Sequence, residues 1–317
     1  MLKLITRRLL ISLVILFIIS VLVFVATLLL PGDPARAMLG QQATPERLEA
    51  LREQMGLNEP AWLRYFSWLG GLFVGDFGAS VTGASVGELL GERISASLVL
   101  MVAAAVIAIP VGIIVGAYSA LRRGKAGDHT ASAISLVLAA LPEFVIGIVL
   151  ITVFSTTVFR ILPAVTMSPP GQEVWEYPAQ LILPVLTLVL VVMPYIIRMM
   201  RATMVEVLDS GYVEMARLKG VPERQVITRH AVPHALAPVA QVVAIQLAWL
   251  AGGIVVVEFL FRYPGIGQAL VDAVANRDVQ VVQALSMLIA ALYIVVNLLA
   301  DIVGILTNPK LRTESAS

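Results

Sequence analysis

Six stretches of this chain are apolar for long enough to cross a lipid bilayer, and this constrains its fold more than any other feature. They run over about residues 9–30, 96–121, 130–158, 180–197, 236–257 and 280–305. A helix rises about 1.5 Å per residue, so roughly 20 apolar residues cover the hydrocarbon core. The sequence therefore predicts an all-α polytopic membrane protein with six transmembrane helices. Composition agrees. Only 14% of the 317 residues are charged, and mean hydropathy is +0.91, whereas soluble domains carry about a quarter charged residues. The net charge of +1 gives no reason to expect nucleic acid as a partner. Cysteine is absent, which excludes disulfides and thiolate metal sites. His129, His230 and His234 do not form a spaced metal set, so no metal is expected.

Leu9 to Leu30 carries no charge and follows Lys3, Arg7 and Arg8. A cleaved signal would have an apolar core of about 7–15 residues and a small-residue cleavage site. This run is longer and is followed by Pro31-Gly-Asp-Pro34, so it reads as an uncleaved anchor. Pro110, Pro142, Pro184 and Pro194 fall inside the apolar runs. In lipid the backbone groups they free must be met by neighbouring helices, which argues for a packed bundle. Gly112 and Gly116 have the GxxxG spacing that lets two helix backbones approach closely, and Gly147, Gly252 and Gly253 are further small residues of this kind.

Positive charge sets the expected orientation. With the N-terminus in the cytoplasm, the inside segments hold fourteen of the 22 lysines and arginines, among them Arg122, Arg123, Lys125, Arg198, Arg201, Lys310 and Arg312. Six spans then return the C-terminus to the cytoplasm. The chain divides into an N-terminal transmembrane helix (1–30), an external helical segment (31–95), a five-helix core (96–305) and a cytoplasmic tail (306–317). The core carries an internal loop at 198–235 and an external loop at 258–279.

In the external segment, Thr44-Pro45 reads as an N-cap and first helical residue. Leu48, Leu51 and Met55 share a face, and Gly56 stops the helix. Trp62, Tyr65, Phe66, Trp68, Leu69 and Phe73 follow on a second helix. Because aromatic residues gather at membrane–water boundaries, that helix is expected on the outer surface, as a packed cap. In the external loop, Tyr263-Pro-Gly-Ile-Gly267 is a turn signal followed by a short amphipathic helix. In the internal loop, Glu206, Asp209, Glu214 and Glu223 interleave with basic residues, and Met215 and Leu218 recur at helical spacing. Gly220-Val-Pro222 breaks the pattern, and Glu223 to His230 can start a second short helix. This predicts a helix–turn–helix hairpin outside the bilayer, in preference to an amphipathic linker solvated by headgroups.

The spacing Glu214-x-Ala216-x-x-x-Gly220, with Pro233 after twelve further residues, resembles the EAA loop of permeases in binding-protein-dependent ABC importers. Other motifs extend the likeness over essentially the whole chain: Arg7-Arg8-Leu9-Leu10, Ser20-Val-Leu-Val-Phe24, Leu30-Pro-Gly-Asp-Pro34, Leu51-Arg-Glu-Gln-Met-Gly56-Leu57, Gly75-Asp-Phe-Gly78-x-Ser80, Tyr263-Pro-Gly265-Ile-Gly267, Asn276-Arg-Asp278 and Asn308-Pro-Lys-Leu-Arg312. Together they resemble dipeptide, oligopeptide and nickel permeases, and the first of the two permeases such systems encode. Met215 stands where the family usually has alanine, and His234 where peptide permeases often have asparagine.

The resemblance implies a type I ABC importer permease fold in a bacterial cytoplasmic membrane. It also implies a second homologous permease, two ABC ATPase subunits and an extracytoplasmic substrate-binding protein as partners, besides the lipid bilayer. The ATPase-coupling residues it implies are Glu214, Met215, Ala216, Leu218, Gly220, Arg229 and Pro233. Glu214 would pair with a basic residue of the ATPase, Met215 and Leu218 would fill an apolar groove, and Gly220 would make the turn. The chain has no GxxxxGK[ST] phosphate-binding loop, since Gly124-Lys125 is followed by Ala126. No cofactor is expected in this chain; ATP and Mg belong to the partner subunits.

Candidates for the pathway are Glu143, Gln241, Gln246 and Trp249. Glu143 is the one unambiguous carboxylate well inside an apolar run, and either faces the pathway or bonds backbone loosened by Pro142. The other three either line the route or pack in the core. Asn297 and Asp301, four apart on the last span, suit interhelical bonding. The rivals are weaker. A secondary transporter would show internal repeats, and none is evident. An intramembrane zinc protease would show His-Glu-x-x-His. An aspartyl type needs Asp within spans, yet Asp33, Asp76 and Asp128 fall in the expected loops and Asp301 stands alone.

Overall fold

The computed structural model describes residues 2–29, 33–40, 43–54, 56–167 and 174–307. Met55, most of the Leu30–Pro34 motif and the closing Asn308–Arg312 motif lie outside them. Among the described residues the fold is helical, and the sole β pairing is an isolated bridge between Ala79 and Ser85. Five helices are long and apolar enough to cross a membrane, or six if one bent pair is a single span. The chain separates into two compact units, one built from Arg8–Leu98 with Pro264–Leu292, the other from Val99–Tyr263 with the chain ends.

The first unit holds most of α1 (Leu2–Leu28), then α2 (Pro34–Leu39), α3 (Pro45–Gln54) and α4 (Ala61–Val74). It also holds α12 (Ile266–Ala275) and the starts of α5 (Val86–Leu121) and α13 (Val279–Thr307). Thr44 caps α3 as the sequence predicts, its hydroxyl accepting from Arg47 N–H at 3.3 Å. Gly56 closes that helix at φ +65°. The aromatic helix α4 packs on the flank of α1, with the Tyr65 ring 5.3 Å from Phe24 and 6.5 Å from Phe17. The Tyr65 hydroxyl lies 2.8 Å from Ser20 Oγ, so each polar tip satisfies the other in an apolar setting. Ser20 stands eight residues before the end of α1, about 12 Å along the helix.

Two motifs far apart in sequence meet in this unit. The Asp278 carboxylate, 4% exposed, accepts from Ser80 Oγ at 2.5 Å and from Val81 N–H at 3.0 Å. It also caps α13 by accepting from Val281 N–H at 3.3 Å. Below this lock, Val86, Leu90, Ile266, Ala269, Val281 and Leu285 form a buried core. The core explains why α5 begins at Val86 instead of near residue 96: its first turns are packed here before the purely apolar stretch starts.

The second unit holds the rest of α5, then α6 (Ala126–Ala140), α7 (Glu143–Ile151), α8 (Pro178–Leu208), α9 (Gly211–Leu218), α10 (Glu223–Gln225) and α11 (Val232–Phe261). α8 is its centre: Leu183, Leu188, Ile196, Met200 and Met204 are fully buried. A Cβ on Gly112 would lie 2.8 Å from the Ile196 side chain. One on Gly116 would lie 2.6 Å from the Ile197 carbonyl oxygen and 2.7 Å from Met200 Cβ. The GxxxG pair thus seats α5 against α8. Lipid is as apolar as these side chains, so the contact rests on close van der Waals fit, with no water to exclude.

Several expectations are corrected here. The third span is not one helix: α6 and the helix from Glu143 to Thr156 are bent by 107°. Pro142 lacks an N–H and pushes Leu141 out of the helical region, and Leu141 sits at φ −88°, ψ 135°. Pro110, Pro184, Pro194 and Pro238 stay inside packed helices. α8 continues to Leu208, so Arg198 and Arg201 are helical and not in a loop. Asp128 lies in the first turn of α6, 1% exposed, and not in a loop. Glu258 is fully buried in the last turn of α11. Asn297 bonds the Tyr293 carbonyl of its own helix at 3.0 Å instead of a neighbouring helix.

Candidate functional site

The hairpin between α8 and α11 is built by capping chemistry that the sequence carries. α8 ends at Leu208, and Ser210, in an extended conformation, precedes α9. Gly220 then adopts φ +76°. Val221 N–H reaches the Ala216 carbonyl at 3.2 Å, and Gly220 N–H reaches that of Arg217 at 2.9 Å. These two crossed bonds are a Schellman closure, which needs a left-handed residue, and glycine takes that conformation without strain. Pro222 starts the return limb, with Gln225 N–H bonding its carbonyl at 2.7 Å. That limb is not a separate short helix. Through a π-helical segment, Val226–Ala231, it runs on as one continuous helix, Glu223–Phe261. Pro233 falls inside this continuous helix, immediately after its π-helical segment.

The hairpin has an inner and an outer face. Val213, Val226, Ala231 and Ala235 are buried. The Tyr212 ring packs 5.1 Å from that of His234, joining α9 to the start of α11. Across the turn, Arg217 donates from Nε and Nη2 to the two Glu223 oxygens at 3.1 and 2.7 Å. The bonding raises the Arg217 pKa above the ordinary guanidinium value. Both side chains are about half exposed, so this pair supplies geometry more than stability.

The outer face carries the remaining sequence candidates. Glu214 is exposed and makes no ion pair among the described residues. Met215 is 52% and Leu218 75% exposed, although both are large and apolar. Residues three and four apart share a helix face, so Leu218 lies beside both Glu214 and Met215. Ala216 is half-buried; Arg229 and Pro233 are exposed on the return limb. A carboxylate next to protruding apolar side chains on a rigid, solvent-facing hairpin suits contact with another protein.

The root of the hairpin is held by residues that sequence reasoning did not single out. Asp128 Oδ1 accepts from Arg201 Nε at 2.5 Å and from Ser119 Oγ at 2.6 Å. Its Oδ2 accepts from Arg201 Nη2 at 2.8 Å and from Gly124 N–H at 2.9 Å. One buried carboxylate thereby ties the end of α5, the following turn, α6 and α8 together. An exposed second pair, Arg123 with Asp209 at 2.7 Å, fixes the point where α8 ends. The local signal for Asp128 was the acidic residue expected in a helix's first turn. Its partner, 73 positions away, left no local trace.

The pathway candidates lie on two helices, α7 and α11. Glu143 is half-buried in the first turn of α7, just past the bend. Gln241, Gln246 and Trp249 are half-buried on α11. The Trp249 indole lies over Gly253, where a Cβ would come within 2.7 Å of it. Among the described residues no cluster of three or more His, Asp or Glu could hold a metal ion.

Comparison with known proteins agrees with this architecture. Residues 108–313 match the family model described as binding-protein-dependent transport system inner membrane component. Residues 1–92 match the model of the N-terminal part of such membrane components. The chain is 35% identical over 309 residues to the probable peptide ABC transporter permease protein y4tP of Sinorhizobium fredii, covering 97% of this chain and 98% of that protein. It is 36% identical over 313 residues to the glutathione transport system permease protein GsiC of Escherichia coli, covering 98% of this chain and 99% of that protein.

Proposed function

The chain belongs to the inner membrane components of binding-protein-dependent transport systems, and we propose that it forms half of an ATP-driven import pathway for short peptides or a related small solute such as glutathione or a nickel complex. The other half is a second homologous permease. Two ABC ATPase subunits with ATP and Mg supply the energy, and an extracytoplasmic binding protein delivers cargo. Both chain ends and the hairpin face the cytoplasm.

The observation that carries this reading is the outer face of the hairpin. Glu214, Met215 and Leu218 protrude from a short helix whose two ends lead directly into α8 and α11. A displacement of that helix is therefore a displacement of two apolar helices. ATP binding draws the two ATPases together, each ATPase grips one hairpin, and the attached helices tilt to open the cavity outward. Hydrolysis reverses the tilt. ATP can drive this only because the gripped state differs between the two conformations. Glu214 supplies the charge that pairs with a basic residue in the ATPase groove, and Met215 and Leu218 supply the apolar contact. Arg229 and Pro233 lie on the return limb beside it.

Glu214→Lys tests this directly. The variant inserts in the membrane at wild-type level, because the side chain is exposed and supports nothing in the fold. It loses ATP-driven uptake and ATPase association. Uptake at the normal rate would remove Glu214 from the coupling role.

A further inference from the structure

Ser132 and Leu136 on α6, Tyr195, Arg198 and Met199 on α8, and Val242 on α11 line an open cavity of about 570 Å³. Arg201 and Ala202 complete its wall. The size falls in the range of about 300–1,000 Å³ typical of small-ligand sites. Two cations face it, but they are not equivalent. Arg201 is committed to Asp128 through two hydrogen bonds. Arg198 is exposed and makes no ion pair with any described residue. The Tyr195 and Ser132 hydroxyls are also without a hydrogen-bond partner among the described residues. One free guanidinium and two free hydroxyls thus surround a space whose other walls, Leu136, Met199 and Val242, are apolar.

Arg198 follows the apolar run of α8 and is exposed, so its guanidinium is open to an anionic ligand. Its planar fork matches a carboxylate bidentately. We infer that this cavity is a cargo subsite in which Arg198, assisted by Tyr195 and Ser132, binds a carboxylate of the transported solute. The inference rests on the import reading given above. Both cargo classes named for the relatives, peptide and glutathione, offer such a group, and the apolar wall receives the adjoining side chain or backbone.

One observation favours cargo over an anionic lipid headgroup, which shares the chemistry: the cavity includes Val242, so both helices that flow into the hairpin border it. A carboxylate held here lies beside Arg201, whose partner Asp128 anchors the root of the hairpin. Occupancy of the cavity is thereby placed next to the anchor of the moving part.

The test uses the absence of cysteine from this chain. Ala202→Cys places one thiol in the cavity wall. The full importer carrying it is reconstituted in inside-out vesicles and labelled with a charged maleimide, and this chain is read by mass. Trialanine, its C-terminal amide and glutathione are the probes. At about five times its Kd, a bound probe slows labelling about sixfold by occupancy alone. The free acids protect and the amide does not. Adding Arg198→Gln raises the concentration needed by at least about tenfold, the loss of a charged hydrogen-bond partner, and Arg198→Lys recovers part of it. Equal protection by acid and amide, or none by either acid, overturns the subsite. Labelling that responds to the phosphatidylglycerol content of the vesicles, and not to peptide, assigns the cavity to lipid and also overturns it. ATP-driven uptake without protection refutes the subsite alone. Absence of uptake by the unaltered assembly refutes the import reading itself.

Discussion

Replacing Asp128 with asparagine removes one charge from the most heavily bonded carboxylate described in the chain. Asparagine keeps the size and one acceptor oxygen, so no cavity opens. The Arg201 guanidinium loses its counter-ion, and the Asn amide group must face a donor that the carboxylate formerly satisfied. Stripping a buried pair of one partner costs about 3–5 kcal/mol. The Asp128 side chain is 2% exposed, but that of Arg201 is 33% exposed, so water takes back part of the loss. The low end of the range, about 3 kcal/mol, is the expected cost. At about 1.4 kcal/mol per factor of ten, this raises the population in which the hairpin root is open by roughly 100-fold.

Limited trypsin digestion of inside-out vesicles reads that population, because Arg217, Lys219, Arg224 and Arg229 all lie on the hairpin. Cleavage tracks the open fraction when reclosing outpaces the protease. The expected outcome is cleavage about two orders of magnitude faster in Asp128→Asn. A double variant, Asp128→Asn with Arg201→Met, restores much of the resistance, since it leaves no unpaired charge. Two results would refute the reasoning: wild-type resistance in the single variant, or losses in the double variant that simply add.

Gly220→Ala meets no atom within 4 Å, so its cost is the left-handed backbone alone, about 1–2 kcal/mol. Gly220→Asn costs less, and uptake should rank glycine, asparagine, alanine. Gly116→Val drives a side chain into the Ile197 carbonyl and Met200, which are backbone and packed core. It should destabilise by about 1–3 kcal/mol or more, seen as a lower melting temperature of the purified complex, while Gly252→Ala, with open space around it and no left-handed backbone, changes packing little. Met215→Asp with Leu218→Asp should leave the chain in the membrane and abolish co-purification of the ATPase subunits; retained ATPase would show that the exposed apolar face is not the contact.

How far the sequence reveals this molecule depends on the range over which each feature is encoded. Apolar run length is local, and α1, α5, α8, α11 and α13 follow the expected runs, with ends displaced where packing extends a helix beyond its apolar stretch. Turn chemistry is local too, so Gly220, Pro222, Thr44 and Gly56 stop and start helices where their residue types require. The bend at Pro142 was within reach of the same logic, since a proline forces its predecessor out of the helix; what sequence lacks is the reason Pro184 and Pro194 are tolerated, which is the packing of α8 against α5, α6, α7 and α11. Long-range pairing is a different matter. Nothing near Asp128 announces Arg201, and nothing near Asp278 announces Ser80, because a carboxylate in an expected loop reads as solvated until another element closes over it. The same blindness hid Arg198. In sequence it is one of six basic residues marking a cytoplasmic loop; in the fold it is the cation left over after Asp128 has taken Arg201. A positive charge that orients a helix in the membrane and one that receives an anion look alike until the counter-ions are assigned, and that assignment exists only in three dimensions.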